Sequence, residues 1–444
     1  MSAVSWAFDA VERVQPLGVT GSVAALKGLT VLVDDLPLAV GSFVRIGEGE
    51  GSRAGEVVGF DGERAIVMLL GSTAGIRAGE PVRGEQSAGV VRAGRGLLGR
   101  VVNALCEPID GKGPIGNVSP TALLPAPIGP MQRRRIKEPL PTGVRAVDLM
   151  TTVGKGQRVG VFAGPGVGKS TLLGTIAKRT RADVSVIALV GERGREVRDF
   201  VEASLGEEGL ARSVVVVATS DESPLMRIRA ALAAAAVAER FRDDGADVML
   251  MMDSVTRLAQ AQRQVGLSVG EPPATKGYTP SVFAMMPVLL ERAGAVEGGG
   301  SVTGFYTILV EGDDMTEPVS DAARGILDGH IVLSRKLAHR GHYPAIDVLD
   351  SVSRVADEVC DPGHTAARRQ LQRLVAAHRE VEELVQIGAY ARGSNPVADV
   401  AIALKGKIDA LLQQGSGDVE SFEDARKRLV ALAVEAGGML QKAR

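Results

Sequence analysis

Val159-Gly160-Val161-Phe162-Ala163-Gly164-Pro165-Gly166-Val167-Gly168-Lys169-Ser170-Thr171 reads as a buried strand, a glycine-rich turn and the opening of a helix. It fits G-x-x-x-x-G-K-[ST], the pattern of a phosphate-binding loop, with Ala163 in place of the first glycine. The chemistry survives that change. Gly164, Gly166 and Gly168 let the backbone, with Pro165 and Val167 between them, curl around the β- and γ-phosphates with its N–H groups inward. A helix from Lys169 to about Arg179 then aims its positive end at them. Lys169 supplies a cation, Ser170 a hydroxyl that can ligate Mg²⁺, and Thr171 closes the nucleotide-binding stretch. A plain glycine turn is the alternative, but the loop lies between a strand and a helix, the context phosphate binding requires.

Working outward, residues 157–350 alternate strand and helix patterns. The apolar runs Val184–Val190, Val214–Ala218, Val248–Met252 and Val302–Val310 are strand-length and β-branched, which predicts a mostly parallel sheet covered on both faces. A helix is predicted from Ser223 to Asp244, with Ser223 as N-cap, Pro224 in the first turn and Gly245 past the end. Its run Ala231–Ala236 leaves room for a neighbour to approach closely.

Two carboxylates at strand ends complete a hydrolytic site. Asp253 ends the strand Asp247-Val248-Met249-Leu250-Met251-Met252, where it can hold a Mg²⁺-ligating water. Glu192 follows the strand Val186–Val190, at the carboxyl edge where open α/β sheets bind ligands. It is the candidate for polarising the attacking water. The residues alone leave a second reading open, a loop glutamate salt-bridged to Arg193, Arg195 or Arg198.

The flanks differ from this centre. Residues 1–88 carry Leu29, Val31 and Val33 in alternation, and Asp61-Gly62 between two β-rich runs reads as a hairpin. With glycines at short intervals, about six strands and a small closed barrel are expected. Residues 89–143 are rich in glycine and proline and exclude a long helix; within them Met131-Gln132-Arg133-Arg134-Arg135 reads as solvated surface. From about 365 onward Leu371, Leu374, Val375, Val381, Leu384 and Val385 recur at helical spacing. Gly393-Ser394-Asn395-Pro396 breaks that pattern, and a further helix is predicted over roughly 419–436.

The 444 residues carry 51 basic and 53 acidic side chains, a net charge of −2, and 3% aromatics. Neither a polyanion-binding charge nor a set of stacking platforms for nucleic acid is present. Cys106 and Cys360 are far apart and read as two reduced thiols. No apolar run is long enough to span a membrane, and MSAVSWAFDAVERV does not read as a secretory signal. Val4, Phe8 and Val11, with Trp6 beside them, suggest one face of a short helix; a frayed lead-in is the other reading.

Residues 131–356 resemble the ATPase of bacterial flagellar and type III protein export, itself similar to the catalytic β subunit of F-type rotary ATP synthases. The resemblance lies in AGPGVGKST (163–171), VGERGREVRDF (190–200), MDSVTR (252–257), GEPPATKGYTPSVFA (270–284), EGDDMTEPVSDAARGILDGHIVLSRKLA (311–338) and GHYPAIDVLDSVSR (341–354). Weaker similarity covers nearly the whole chain. It implies a multidomain fold: an N-terminal β-barrel (1–88), a central α/β RecA-like P-loop nucleotide-binding domain (89–355) and a C-terminal α-helical domain (356–444). Ala163 matches the family's own alanine at that position.

The resemblance also implies roles. Glu192 matches the catalytic glutamate, and Arg193 its neighbour near the γ-phosphate. Arg354 matches an arginine that reaches into the adjacent subunit's nucleotide, and Tyr343 an aromatic that packs on the adenine. ATP and Mg²⁺ follow as substrate and cofactor. So does a homohexamer with a coiled-coil stalk protein in its pore, which the loop Gly270–Tyr278 would face. A regulatory stator-like protein at the N-terminus, export chaperones and substrates, and a membrane export gate are implied partners, and a cytoplasmic location at the inner face of the membrane is implied too.

Four other functions are weighed against flagellar export. The ATPase of a virulence-type injectisome shares every motif; GEPPATKGY and the Gly298-Gly299-Gly300 insert favour the flagellar reading. An ATP synthase β subunit would carry a DELSEED-like acidic loop and a GGAG opening, and neither is present. A nucleic-acid translocase needs a basic or aromatic face in residues 1–88, which offer Lys27 and a few arginines. A non-catalytic subunit would lack the carboxylates Glu192 and Asp253.

Overall fold

The computed structural model describes residues 18–85, 89–310, 312, 314–415 and 417–442. The expected N-terminal helix around Val4, Trp6, Phe8 and Val11 lies outside the described residues. Strands β1 (Thr20–Lys27), β2 (Thr30–Asp34), β3 (Phe43–Ile46), β4 (Arg53–Asp61), β5 (Arg64–Leu69) and β6 (Pro81–Gly84) close into a barrel in the order β1-β2-β5-β4-β3-β6. Alternation drives the closure: Ala65, Val67 and Leu69 point into the barrel with Val31, Val33, Val44 and Val82, as a period of two requires. Met68, facing outward from the same strand, packs into the core of the central domain. The hairpin read at Asp61-Gly62 joins β4 and β5, but Asp61 stays paired with Arg64 and only Gly62 adopts positive φ, at 61°. The turn is therefore Gly62-Glu63, one residue later than read.

The Gly- and Pro-rich segment forms no long helix. It contributes β7 (Val90–Ala93) and β9 (Ser119–Ala122), which pair as a ribbon, and β8 (Arg100–Val102). β8 pairs in parallel at the edge of the central sheet; three residues are too few for any periodicity to announce them.

That sheet comprises β10 (Arg158–Ala163), β11 (Val184–Glu192), β12 (Ser213–Thr219), β13 (Asp247–Asp253), β14 (Gly294–Ala295), β15 (Ser301–Leu309), β16 (Gly329–Leu333) and β17 (Ile346–Ser353), with β8 at its edge. Its nine strands run in the order β17-β16-β10-β15-β13-β11-β12-β8, with β14 paired to β15. All are parallel except β14 and β17, which pair antiparallel. Both faces are covered, so alternate residues enter different cores. Val186, Ala188 and Val190 pack on one side with the helices Pro224–Asp243, Val255–Ser268 and Pro280–Leu290. Ile187 and Leu189 pack on the other with the helix Lys169–Arg179 and the C-terminal helices.

The helix Pro224–Asp243 forms as read. Ser223 accepts a hydrogen bond from the Met226 N–H, and Gly245 turns the chain with φ of 94°. At the C-terminus, helices run over Pro362–Gln386, Pro396–Leu412 and Phe422–Lys442. The middle one is not foreshadowed in the sequence pattern. Pro396 reads as a breaker, yet it occupies the first turn of a new helix whose N-cap, Asn395, accepts from the Val397 and Ala398 N–H groups, a position where a proline costs no hydrogen bond. Among the described residues no helix is long and apolar enough to cross a membrane, and Cys106 and Cys360 are free thiols.

Candidate active site

Parallel strands deliver their carboxyl ends to one edge of the sheet, and the candidate residues gather there. β10 enters the loop, where Gly166 and Gly168 take φ of 75° and 90°. A side chain at either position would be strained; Gly164 does not use positive φ. Gly168 caps the helix Lys169–Arg179, whose span is the one expected from the sequence. The unbonded N–H groups of its first turn therefore face the loop's opening.

Lys169 forms an ion pair with the Asp253 carboxylate at the end of β13, and its Nζ lies 3.8 Å from Glu192 Oε1. Asp253 is buried and also accepts from Thr307 Oγ1 at 2.7 Å. Glu192, 7% exposed, sits just past a register shift in β11. Burial raises its carboxyl; the Lys169 cation opposes this and the Asp253 charge adds to it, and the net effect is a pKa of about 7 against an ordinary 4.5.

The loop arginines do not hold Glu192. Arg193 pairs with Glu196 at 3.4 Å, and Arg198 with Glu202 at 2.7 Å. Arg193 thus stands outside the Lys169–Asp253–Glu192 cluster. The arginine that does reach Glu192 is Arg257, with Nε 3.3 Å from Oε1. Within MDSVTR nothing singles this residue out for a role. It sits in the first turn of the helix Val255–Ser268, capped by Ser254. Gly191 makes its approach possible: a Cβ there would lie 3.0 Å from Arg257 Cδ.

On the helix side of the loop, Tyr343 lies over Gly168, where an added Cβ would be 3.5 Å from its ring, and the side chain is 47% exposed. Tyr343, Val144, Thr171, Leu172 and Gln414 bound a cavity of about 320 Å³. Gln414 comes from the C-terminal domain, and no motif points to it. Its backbone N–H donates to the Tyr343 carbonyl at 2.9 Å, and its side-chain oxygen accepts from the Arg145 N–H at 2.9 Å. A larger cavity, about 580 Å³, lies on the other side of the loop beside Phe162 and Arg379. Neither cavity is lined by Lys169, Asp253 or Glu192; the larger touches the loop at Ala163 and Gly164, the smaller at Gly168 and Thr171.

Ser170 and Asp253 supply oxygen donors only. No group of three or more His, Cys, Asp or Glu side chains that could cage a metal occurs among the described residues. A hydroxyl with a single carboxylate suits a cation that keeps most of its waters and binds phosphate oxygens, which is the behaviour of Mg²⁺.

Arg354 is not part of this cluster. It follows β17, and Ser353 pairs with Gly329 at the start of β16. That end of the sheet holds Arg158, whereas the phosphate loop follows Ala163 at the other end of β10. The five residue steps along that strand separate the two ends by roughly 17 Å.

The chain matches the nucleotide-binding domain of the ATP synthase alpha/beta family over residues 143–353 and that family's beta-barrel domain over 25–85. The C-terminal domain of the T3SS EscN ATPase matches over 360–431. The chain is 51% identical to a flagellum-specific ATP synthase of Treponema pallidum, covering 94% of this chain and 93% of that protein. It is 48% identical to one of Bacillus subtilis, over 96% and 97% of the two. A type 3 secretion system ATPase of Xanthomonas euvesicatoria is 46% identical, over 94% of each chain. Among solved structures, the assembled ATPase EscN of the enteropathogenic E. coli type III secretion system superposes with a TM-score of 0.88 at 40% identity, covering 93% of this chain and 100% of that one. EscN in complex with its central stalk EscO gives 0.86 at 39%, with the same coverage.

Proposed function

Because the chain belongs to the flagellum-specific and type III secretion ATPases of the ATP synthase alpha/beta family, we propose that it hydrolyses ATP as a ring that energises flagellar protein export. The flagellar reading is favoured over an injectisome by relatives named flagellum-specific at 51% and 48% identity, against 46% for the secretion ATPase.

In this reading the loop Gly164–Thr171 holds the phosphates through its backbone N–H groups, and Lys169 leaves Asp253 to neutralise them. Glu192 orients the attacking water, and the Arg257 cation beside it favours the ionised form of that carboxylate. Arg193 swings from Glu196 toward the γ-phosphate. Tyr343 covers the base, giving stacking with little base specificity. Ser170, directly, and Asp253, through water, would hold Mg²⁺, which when bound neutralises charge on the β- and γ-phosphate oxygens.

The observation that carries the ring is the place of Arg354. Its backbone sits at the sheet end opposite its own phosphate loop, so it serves a site only if that site belongs to another copy. Stabilising charge on the transferred phosphoryl group from across an interface is worth orders of magnitude in rate. The assembled form of EscN and its complex with a central stalk support a hexamer here, with a coiled-coil stalk in a pore faced by Gly270–Tyr278. Export chaperones and substrates, a membrane export gate at the cytoplasmic face and a regulatory partner at the N-terminus complete the proposal.

Mixing tests it. Arg354→Ala chains and Glu192→Gln chains, each inactive alone, are expected to regain phosphate release when co-assembled, because some interfaces then pair an intact Glu192 with an intact Arg354. No regain in well-mixed rings contradicts the arrangement.

A further inference from the structure

The groups that fix the backbone of Arg354 lie at the base of β10, and we infer that Gln157, with Asp328 and Arg158, is a positioning residue for the finger that acts in the neighbouring site. This rests on the trans reading of Arg354.

Gln157 is fully buried. Its Nε2 donates to the Asp328 carbonyl at 3.1 Å and to Ser353 Oγ at 3.0 Å, while its Oε1 accepts from the Gly154 N–H at 2.9 Å. The same Asp328 carbonyl accepts the backbone N–H of Arg354 at 2.9 Å. Ser353 Oγ donates onward to the Thr152 carbonyl at 2.8 Å. One buried amide thus holds both the residue before the finger and the carbonyl that holds the finger itself.

Asp328 is in turn fixed by charge. Its carboxylate takes a fork from Arg158, Nε and Nη2 both at 2.9 Å, and also the Arg158 N–H at 3.1 Å. Such bidentate pairs add geometric specificity to their strength. There is no slack around the joint: a Cβ on Gly329 would come within 2.4 Å of the Val352 carbonyl and 3.2 Å of Gln157 Nε2.

The side chain beyond this joint is arranged differently. Arg354 is exposed, and its guanidinium makes no hydrogen bond or ion pair with the described residues. A rigid backbone under an unengaged head group has the form of a preorganised catalytic group waiting for its target. Were Gln157 there only to satisfy a buried turn, its loss would lower stability; as a positioning residue, its loss lowers turnover in one class of site only.

Gln157→Met keeps the side-chain length and removes both hydrogen bonds that Nε2 donates, along with the acceptor of the Gly154 N–H. The expected result is a kcat about tenfold lower, with KM for ATP changed by no more than about twofold, as for a lost transition-state contact. The mixing behaviour is the sharper readout. Gln157→Met chains should regain activity with Glu192→Gln chains and gain nothing with Arg354→Ala chains, since no ring of the latter pair holds a well-placed finger. Wild-type kcat, regain with Arg354→Ala chains, or no regain with Glu192→Gln chains overturns the inference. If the reference mixture of Arg354→Ala with Glu192→Gln also fails, the trans reading falls with it; if that mixture succeeds, only the role of Gln157 is lost. Should Gln157→Met not fold, Asp328→Asn, which keeps the carbonyl and weakens the Arg158 fork, goes through the same mixtures, and the same outcomes support or overturn the inference.

Discussion

Lys169 stands between two buried carboxylates, paired with Asp253 and 3.8 Å from Glu192. Removing it takes away both the cation for the phosphates and the charge that opposes protonation of Glu192. Lys169→Ala is therefore expected to lower phosphate release by about 10³-fold or more, on the scale of losing a preorganised electrostatic contact. Glu192→Gln is isosteric and leaves the loop intact, so it should bind a fluorescent ATP analogue near wild-type affinity while turnover is lost; wild-type turnover would remove Glu192 from its role. These residues were legible in the sequence because each ends an apolar strand or opens a helix, and parallel strands carry such ends to one edge. Arg257 was not, since an arginine in a helix's first turn looks ordinary until Gly191 is seen to clear its path. Gln414 was not legible either: nothing local links a loop of the C-terminal domain to Tyr343.

Elements whose signals are local formed as read. The helix Pro224–Asp243 has a cap, a first-turn proline and a terminal glycine, and its buried alanines, Ala230 and Ala231 with Ala233–Ala236, let it lie close on the sheet. Ala234→Leu should then destabilise by roughly 1–3 kcal/mol through overpacking, read as a lower urea midpoint with an unchanged slope. Two of the elements that escaped, β8 and the helix Pro396–Leu412, show the limits of local signals. β8 is defined by its pairing with β12, and a proline in a first turn has the same composition as a proline that ends a helix.

At the scale of the whole molecule, the barrel meets the central domain through Glu56 and Arg229, 3.7 Å apart, with Arg229 stacked 4.6 Å from the centre of the Phe43 ring. Burial lifts the Glu56 carboxyl from 4.5 to about 7, against the pull of Arg229. The folded chain keeps a proton there that the unfolded chain releases. This contribution to stability is full below pH 4.5 and is lost as pH rises to about 7; its size is roughly 3 kcal/mol. Glu56→Gln should therefore gain stability relative to wild type as pH rises through that window, measured as the difference in urea midpoints; a constant difference would contradict it.

The central claim is that a single chain carries half a site, with Glu192 and Arg354 at opposite ends of one sheet. Its most direct test is the ATPase rate per chain against protein concentration, with particle mass followed in the same samples. The rate per chain is expected to rise in step with the fraction of chains in hexamers. Full activity in samples that contain only monomers would contradict the account.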